Sequence, residues 1–162
     1  MKQFLAGAII SAALILPGIA QAAAVLKVTT LDEAGEAVVQ EYSSDELLEL
    51  GAIEVRTKND YVEQVTTFTG PRLRDLLGAD SLSPTDIIQV TALNDYKTTI
   101  PAHEVLDYDV IIAVLQDGKP MSVRDKGPFW VIYPMTDYEE LQDPGFNDRL
   151  IWQLSDVELL GN

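Results

Sequence analysis

Cysteine is absent from the 162 residues, and histidine occurs once, at His103. Without a thiolate there is no disulfide framework, no soft sulfur ligand for a metal and no sulfur nucleophile. A single imidazole cannot build a multi-histidine metal site. Basic residues are scarce as well: 11 Lys and Arg stand against 26 Asp and Glu, a formal charge of −15. That balance excludes a nucleic-acid partner, because phosphate binding needs a basic surface. It also disfavours an anionic membrane surface. Internal repeats and low-complexity tracts are missing, and no spacing supports a Ser-His-Asp or paired-carboxylate arrangement. The acidic groups Asp107/Asp109 and Asp137/Glu139/Glu140/Asp143 lack the EF-hand spacing that would make them a calcium loop.

What is present begins with a leader. Lys2, an apolar run over 4–19 and the small-x-small triplet Ala20-Gln21-Ala22 have the pattern of a secretory signal cut after Ala22. The expected mature chain is one domain over 23–162, placed in a Gram-negative periplasm, without stable membrane insertion. The leader has no twin arginine, so export is expected to be unfolded, through the general route.

The centre of the chain is 117–134, DGKPMSVRDKGPFWVIYP. Asp117-Gly118 is a turn pair, and Pro120 belongs at a strand edge because it lacks a ladder donor. Gly127-Pro128 is a second break, after which 129–133 is an apolar run of buried-strand length. Arg124-Asp125-Lys126 forms a charged loop in front of that strand.

Around it, strands are predicted over 25–29, 37–42, 53–57, 61–67, 87–93, 96–100, 109–115 and 152–159. Ser43 with Glu46 makes a capping box for a short helix that stops at Gly51. The pattern predicts a break over 68–71, then a helix over 72–77 with Leu73, Leu76 and Leu77 on one face and Gly78 as its stop. Asn94-Asp95 is a hairpin turn, and Pro101 opens a helical turn to Leu106. The acidic stretch 137–147 reads as a surface excursion. Short strands with a few short helices make an α+β fold with mixed sheets.

Five segments then resemble a known family. Phe68-Thr69-Gly70-Pro71-Arg72-Leu73-Arg74-Asp75-Leu76-Leu77 resembles the F-x-G-x-x-L-x-x-L-L segment of the oxidoreductase molybdopterin-binding domain, the catalytic-domain fold of sulfite oxidase. Asn94-Asp95-Tyr96 with the strand ending at Pro101 is similar to its D-G-Y segment. Asp117-Gly118-Lys119-Pro120-Met121 is similar to N-G-x-P-L, and 127–134 to G-x-P-x-R-L-V-x-P. Trp152, Leu154 and Val157 resemble its closing strand, so the likeness spans about 68–159 in order.

The departures bear on chemistry. The resemblance implies a molybdenum-ligating cysteine just upstream of Phe68, and none exists. The family's histidine before G-x-P is replaced by Asp125-Lys126, its following arginine falls at or beside Trp130, and Arg149 stands in for a lysine ahead of Trp152. The resemblance implies a cofactor cleft held by Arg56, Asn94, Tyr96, Arg124, Lys126 and Arg149. Together with Lys58, Arg72 and Arg74, these basic residues suit a small anion by charge-assisted bonds, or else pair with surface carboxylates. Asn94, Asp95 and Tyr96 equally suit a plain hairpin turn, Trp130 and Trp152 a core or pocket wall, and His103 a solvated helix face.

Three functions fit this sequence. The first is a cofactor-free binding protein for a small anionic ligand or a partner such as a membrane sensor. The second is a molybdopterin-dependent oxidoreductase with a non-cysteine ligand, performing oxo or electron transfer with a redox partner. The third is a structural subunit of a periplasmic redox complex.

Overall fold

A computed structural model describes residues 24–161. The expected leader over 1–22 lies outside the described residues. Eleven strands and three short α-helices make two larger sheets and a two-stranded ribbon among the described residues. The architecture is α+β with mixed sheets, as the pattern predicts.

The first sheet has β1 (Val25–Leu31), β2 (Ala37–Ser43), β5 (Ile87–Ala92), β6 (Lys97–Pro101) and β11 (Leu154–Gly161), in the order β2-β1-β11-β5-β6. Its centre is the last strand of the chain, parallel to β1 and antiparallel to β5. The second sheet, all antiparallel, is β3 (Ile53–Asn59), β4 (Val62–Gly70), β8 (Leu115–Gln116) and β9 (Lys119–Pro120). Between them runs the ribbon of β7 (Ile111–Ala113) and β10 (Trp130–Ile132), paired antiparallel.

The ribbon explains the two continuous apolar runs. Strand side chains alternate between faces, so a strand buried on one face alternates in polarity, and one buried on both does not. Ile112 and Val131 point into the larger core, with Leu26, Ile88, Val90, Leu154 and Val157 of the first sheet. Ile111, Ala113, Trp130 and Ile132 point into a smaller core, with Val55, Phe68 and Met121. All six ribbon residues are fully buried. Burying an aliphatic side chain of this size contributes about 1.5–3 kcal/mol.

Helix α1 (Ser44–Glu49) starts on the predicted box. Glu46 N donates to Ser43 Oγ at 3.3 Å, and Ser43 N donates to Glu46 Oε2 at 2.8 Å. Helix α2 (Leu73–Leu77) buries its three leucines and ends at Gly78, whose φ of 79° favours glycine. Helix α3 is Ala102–Asp107.

Four expectations need correction. The run 109–115 is two strands, not one. The chain passes from β10's partner to β4's partner at Val114, whose N donates to Thr69 O at 2.8 Å. Residues 68–70 do not break the pattern, because β4 continues to Gly70, opposite Ile53. The stretch 137–147 is not only a surface excursion: two 3-10 segments, Glu139–Gln142 and Pro144–Arg149, bring Leu141 into the core. Trp152 lies before the last strand, not in it. It meets Trp130 in an isolated bridge, and the positive φ of Gln153, 53°, separates it from β11.

Two carboxylates held in ion pairs make stability depend on acid. Lys27 Nζ lies 2.5 Å from Asp156 across the β1–β11 pair, and Arg72 and Arg74 both reach Asp109 Oδ1, at 2.8 and 2.5 Å. Burial pulls both carboxyls upward, but these bonds outweigh it and hold Asp156 and Asp109 below the usual carboxylate range. A carboxyl lowered in the folded state stabilises it above the unfolded value, and that contribution is lost as pH falls through the folded one. The thermal midpoint is therefore expected to fall as pH drops below about 4. Asp109→Asn should flatten part of that slope in a melting series, and an unchanged slope would remove Asp109 from the account.

Candidate functional site

Three separate segments converge on one cavity of about 290 Å³. The turn between β3 and β4 brings Tyr61, the β5–β6 hairpin brings Ala92, Asn94 and Tyr96, and the strap before β11 brings Asn147, Asp148 and Leu150 to Gln153. The hairpin is built as its residues dictate. Asn94 Oδ1 accepts from Tyr96 N at 3.2 Å, and Asp95 takes a φ of 65°, which Asx residues tolerate. Tyr96 is left half exposed at the mouth.

The strap is held by backbone bonds on both sides. Val131 N donates to Ile151 O at 3.0 Å, Leu154 N to Phe129 O at 3.0 Å, and Gln153 N to Lys126 O at 3.1 Å. On the hairpin side Leu93 N donates to Gln153 O at 2.8 Å. Trp130 Nε1 donates to Leu150 O at 3.0 Å, and Gln153 Nε2 to Val123 O at 2.7 Å. At its start, Asn147 Nδ2 donates to Asp60.

Behind these residues lies a connected aromatic cluster. Tyr61 meets Trp152 edge-on at 4.7 Å between centroids, and Trp130 at 6.5 Å. Trp130 is also edge-on to Phe68 at 5.3 Å and to Trp152 at 6.5 Å. Pairs of this geometry contribute about 0.5–1.5 kcal/mol beyond their buried area and fix ring orientation. The Tyr61 hydroxyl is held above its ordinary range, first by burial, then by the charges of Asp148 and Asp60 and by Tyr96.

Of the residues expected to hold a cofactor or anion, Asn94 and Tyr96 line the cavity. The cations do not join them. Arg149 is turned to a carboxylate instead: its Nη1 lies 3.1 Å from Oε1 of the buried Glu104, whose Oε2 accepts from Tyr133 OH at 2.8 Å. The Arg149 guanidinium also sits over Phe146, 4.8 Å from the ring centroid. A buried carboxylate needs a partner, so this arginine anchors the 3-10 segment that leads into the strap. Arg72 and Arg74 are held by Asp109, and Arg74 also donates to Val105 O and Tyr108 O. Arg56 is exposed on β3, on the side opposite the buried Val55 and Thr57. Arg124 is exposed in the 3-10 turn Val123–Asp125. Lys126 is half-buried, with Nζ 5.5 Å from the Trp130 ring centroid. Lys58 lines instead a second cavity, of about 450 Å³, with Asn59, Asp60 and Thr136, and the two cavities share Asn147. No lysine or arginine lines the cavity itself.

His103 is exposed on α3. Among the described residues no group of three or more His, Asp or Glu is placed to hold a metal ion.

The residues that sequence reasoning missed are Tyr61 in a wall role, Asn147, Asp148 and Gln153. Tyr61 follows a turn and precedes a polar strand, where an aromatic ring is a weak signal. Nothing local distinguishes Asp148 from the other carboxylates of so acidic a chain.

Residues 41–136 match the family model of the oxidoreductase molybdopterin-binding domain, more than half of the chain. The match includes Tyr61, Asn94 and Tyr96 and ends before the strap. No curated protein matches the chain.

Proposed function

The chain belongs to the oxidoreductase molybdopterin-binding domain family, and from that premise we propose that it is an exported ligand-binding member of the family which works without the standard molybdenum centre. The cavity wall carries this reading. It offers three aromatic rings, three amides and one carboxylate, with no thiolate and no cation. A molybdenum centre of the family's kind needs soft sulfur from the protein, and the chain has no cysteine. A cofactor phosphate needs positive partners; of the basic residues expected to supply them, Arg149 is held by Glu104, Arg72 and Arg74 by Asp109, and Arg56, Arg124 and Lys126 do not line the cavity. The donor set therefore does not fit that centre. The concave, mostly apolar wall with a few convergent polar groups has the general form of a small-ligand site. The leader-like 1–22, without twin arginine, supports a periplasmic location reached unfolded.

The test is composition. Protein purified from the periplasm of its native host is expected to contain no molybdenum by mass spectrometry and no pterin by fluorescence after oxidation. Near-stoichiometric metal and pterin would overturn the reading in favour of an oxidoreductase with atypical ligation.

A further inference from the structure

We propose that the cavity binds a small organic cation, an alkyl- or arylammonium, in place of the anion its family resemblance implies. The inference deepens the ligand-binding reading above and rests on it.

Three features on the cavity wall point the same way. Tyr61, Tyr96 and Trp152 supply aromatic rings, whose faces attract cations and repel anions. Asp148 supplies a carboxylate on the wall, and Asp60 stands one hydrogen bond behind it, through Asn147. Two of the three wall amides have an N–H committed elsewhere, and the third, Asn94, accepts from Tyr96 N through its Oδ1. Asn147 Nδ2 donates to Asp60 and Gln153 Nε2 to Val123 O, which leaves their carbonyl oxygens as acceptors. An ammonium supplies the positive charge this wall lacks, and its N–H groups suit the carboxylate of Asp148 and the amide oxygens of Asn147 and Gln153. A carboxylate or phosphate would meet aromatic rings and Asp148, with no cation among the lining residues.

The aromatic cluster already accepts one cation, since the Lys126 ammonium lies 5.5 Å from the Trp130 centroid. A formal charge of −15 raises the local concentration of cations at such a cleft. At about 290 Å³ the cavity suits a small ligand.

Three probes of one shape and different charge test the proposal: benzylammonium, benzyl alcohol and benzoate. Binding is followed by NMR on purified protein shown to be free of molybdenum and pterin. The chain has two tryptophans, so the indole N–H of Trp152 on the wall is distinguished from that of Trp130, which is bonded to Leu150 O. Benzylammonium is expected to bind about tenfold more tightly than benzyl alcohol, and to shift the Trp152 indole most. Benzoate is expected not to saturate. Asp148→Asn and Tyr96→Ala, at exposed positions, should each weaken benzylammonium about threefold or more while leaving the remaining spectrum in place. Equal affinity for the charged and neutral probes, tighter binding of benzoate, or undiminished binding in both variants would overturn the proposal. Each of those results leaves the metal-free reading intact, whereas stoichiometric molybdenum removes the premise of both.

Discussion

Gly70→Ala is expected to abolish cooperative folding or to lower stability by more than about 4 kcal/mol. The glycine lies at the end of β4, where the strand crosses the ribbon. A Cβ there would stand 1.9 Å from Ile112 O, 2.8 Å from Ile112 C and 3.1 Å from Ala113 Cα. These are backbone atoms, and they cannot rotate aside. Ile112 N donates to Pro71 O at 3.0 Å and Val114 N to Thr69 O at 2.8 Å, so both chains are tied on either side of the contact. Relief requires β4 to move off β7, which opens the seam between the two cores. Gly145→Ala is the control: its Cβ would meet only Asp143 Oδ1, at 3.0 Å, the end of a side chain. That variant should stay within about 1 kcal/mol of the parent. Urea unfolding followed by tryptophan fluorescence measures both. The account is falsified if Gly70→Ala unfolds at the parent's midpoint.

Arg149→Met is expected to cost about 3 kcal/mol, because it leaves the carboxylate of Glu104 buried without its charge partner. The Glu104 side chain is 5 % exposed and that of Arg149 25 %, so little water is available to replace the guanidinium. Tyr133 OH remains as one donor, and on its own it does not neutralise the charge. The loss should appear as a melting midpoint lower by roughly 10 °C for a domain of this size. Glu104→Gln in the same background should recover a large part of it, since the uncompensated charge is gone. No recovery in the double variant would mean that Arg149 acts by its packing on Phe146. An anion-binding role for Arg149 makes the opposite forecast: removing the guanidinium would leave folding untouched and abolish ligand binding.

These two positions mark where sequence reasoning reaches and where it stops. The importance of Gly70 is foreshadowed by the F-x-G segment, yet the sequence pattern alone placed a break there. The residue is part of a strand whose missing side chain makes room for another backbone. Arg149 shows the reverse. Its position ahead of Trp152 and its charge suggested a cofactor contact, whereas its partner is a carboxylate on α3, 45 residues earlier.

Local physics made much of the chain legible in advance. The Ser43–Glu46 box, the stop at Gly78, the Asn94-Asp95 hairpin and the Asp117-Gly118 turn each depend on residues within a few positions of one another, so their chemistry is written in order. The α+β class and the family follow from such segments occurring in sequence. The absence of cysteine is likewise settled by sequence alone, and with it the lack of a protein thiolate for a metal. Tertiary structure alone decided which strands pair, placing the last strand between β1 and β5 and splitting one apolar run between the ribbon and the second sheet. It also decided which carboxylate each arginine meets, and that Tyr61, Tyr96 and Trp152 share a wall with Asp148. Those outcomes depend on distances between residues far apart in the chain. A charge or a ring carries no sign, in its own neighbourhood, of the partner that folding will bring to it.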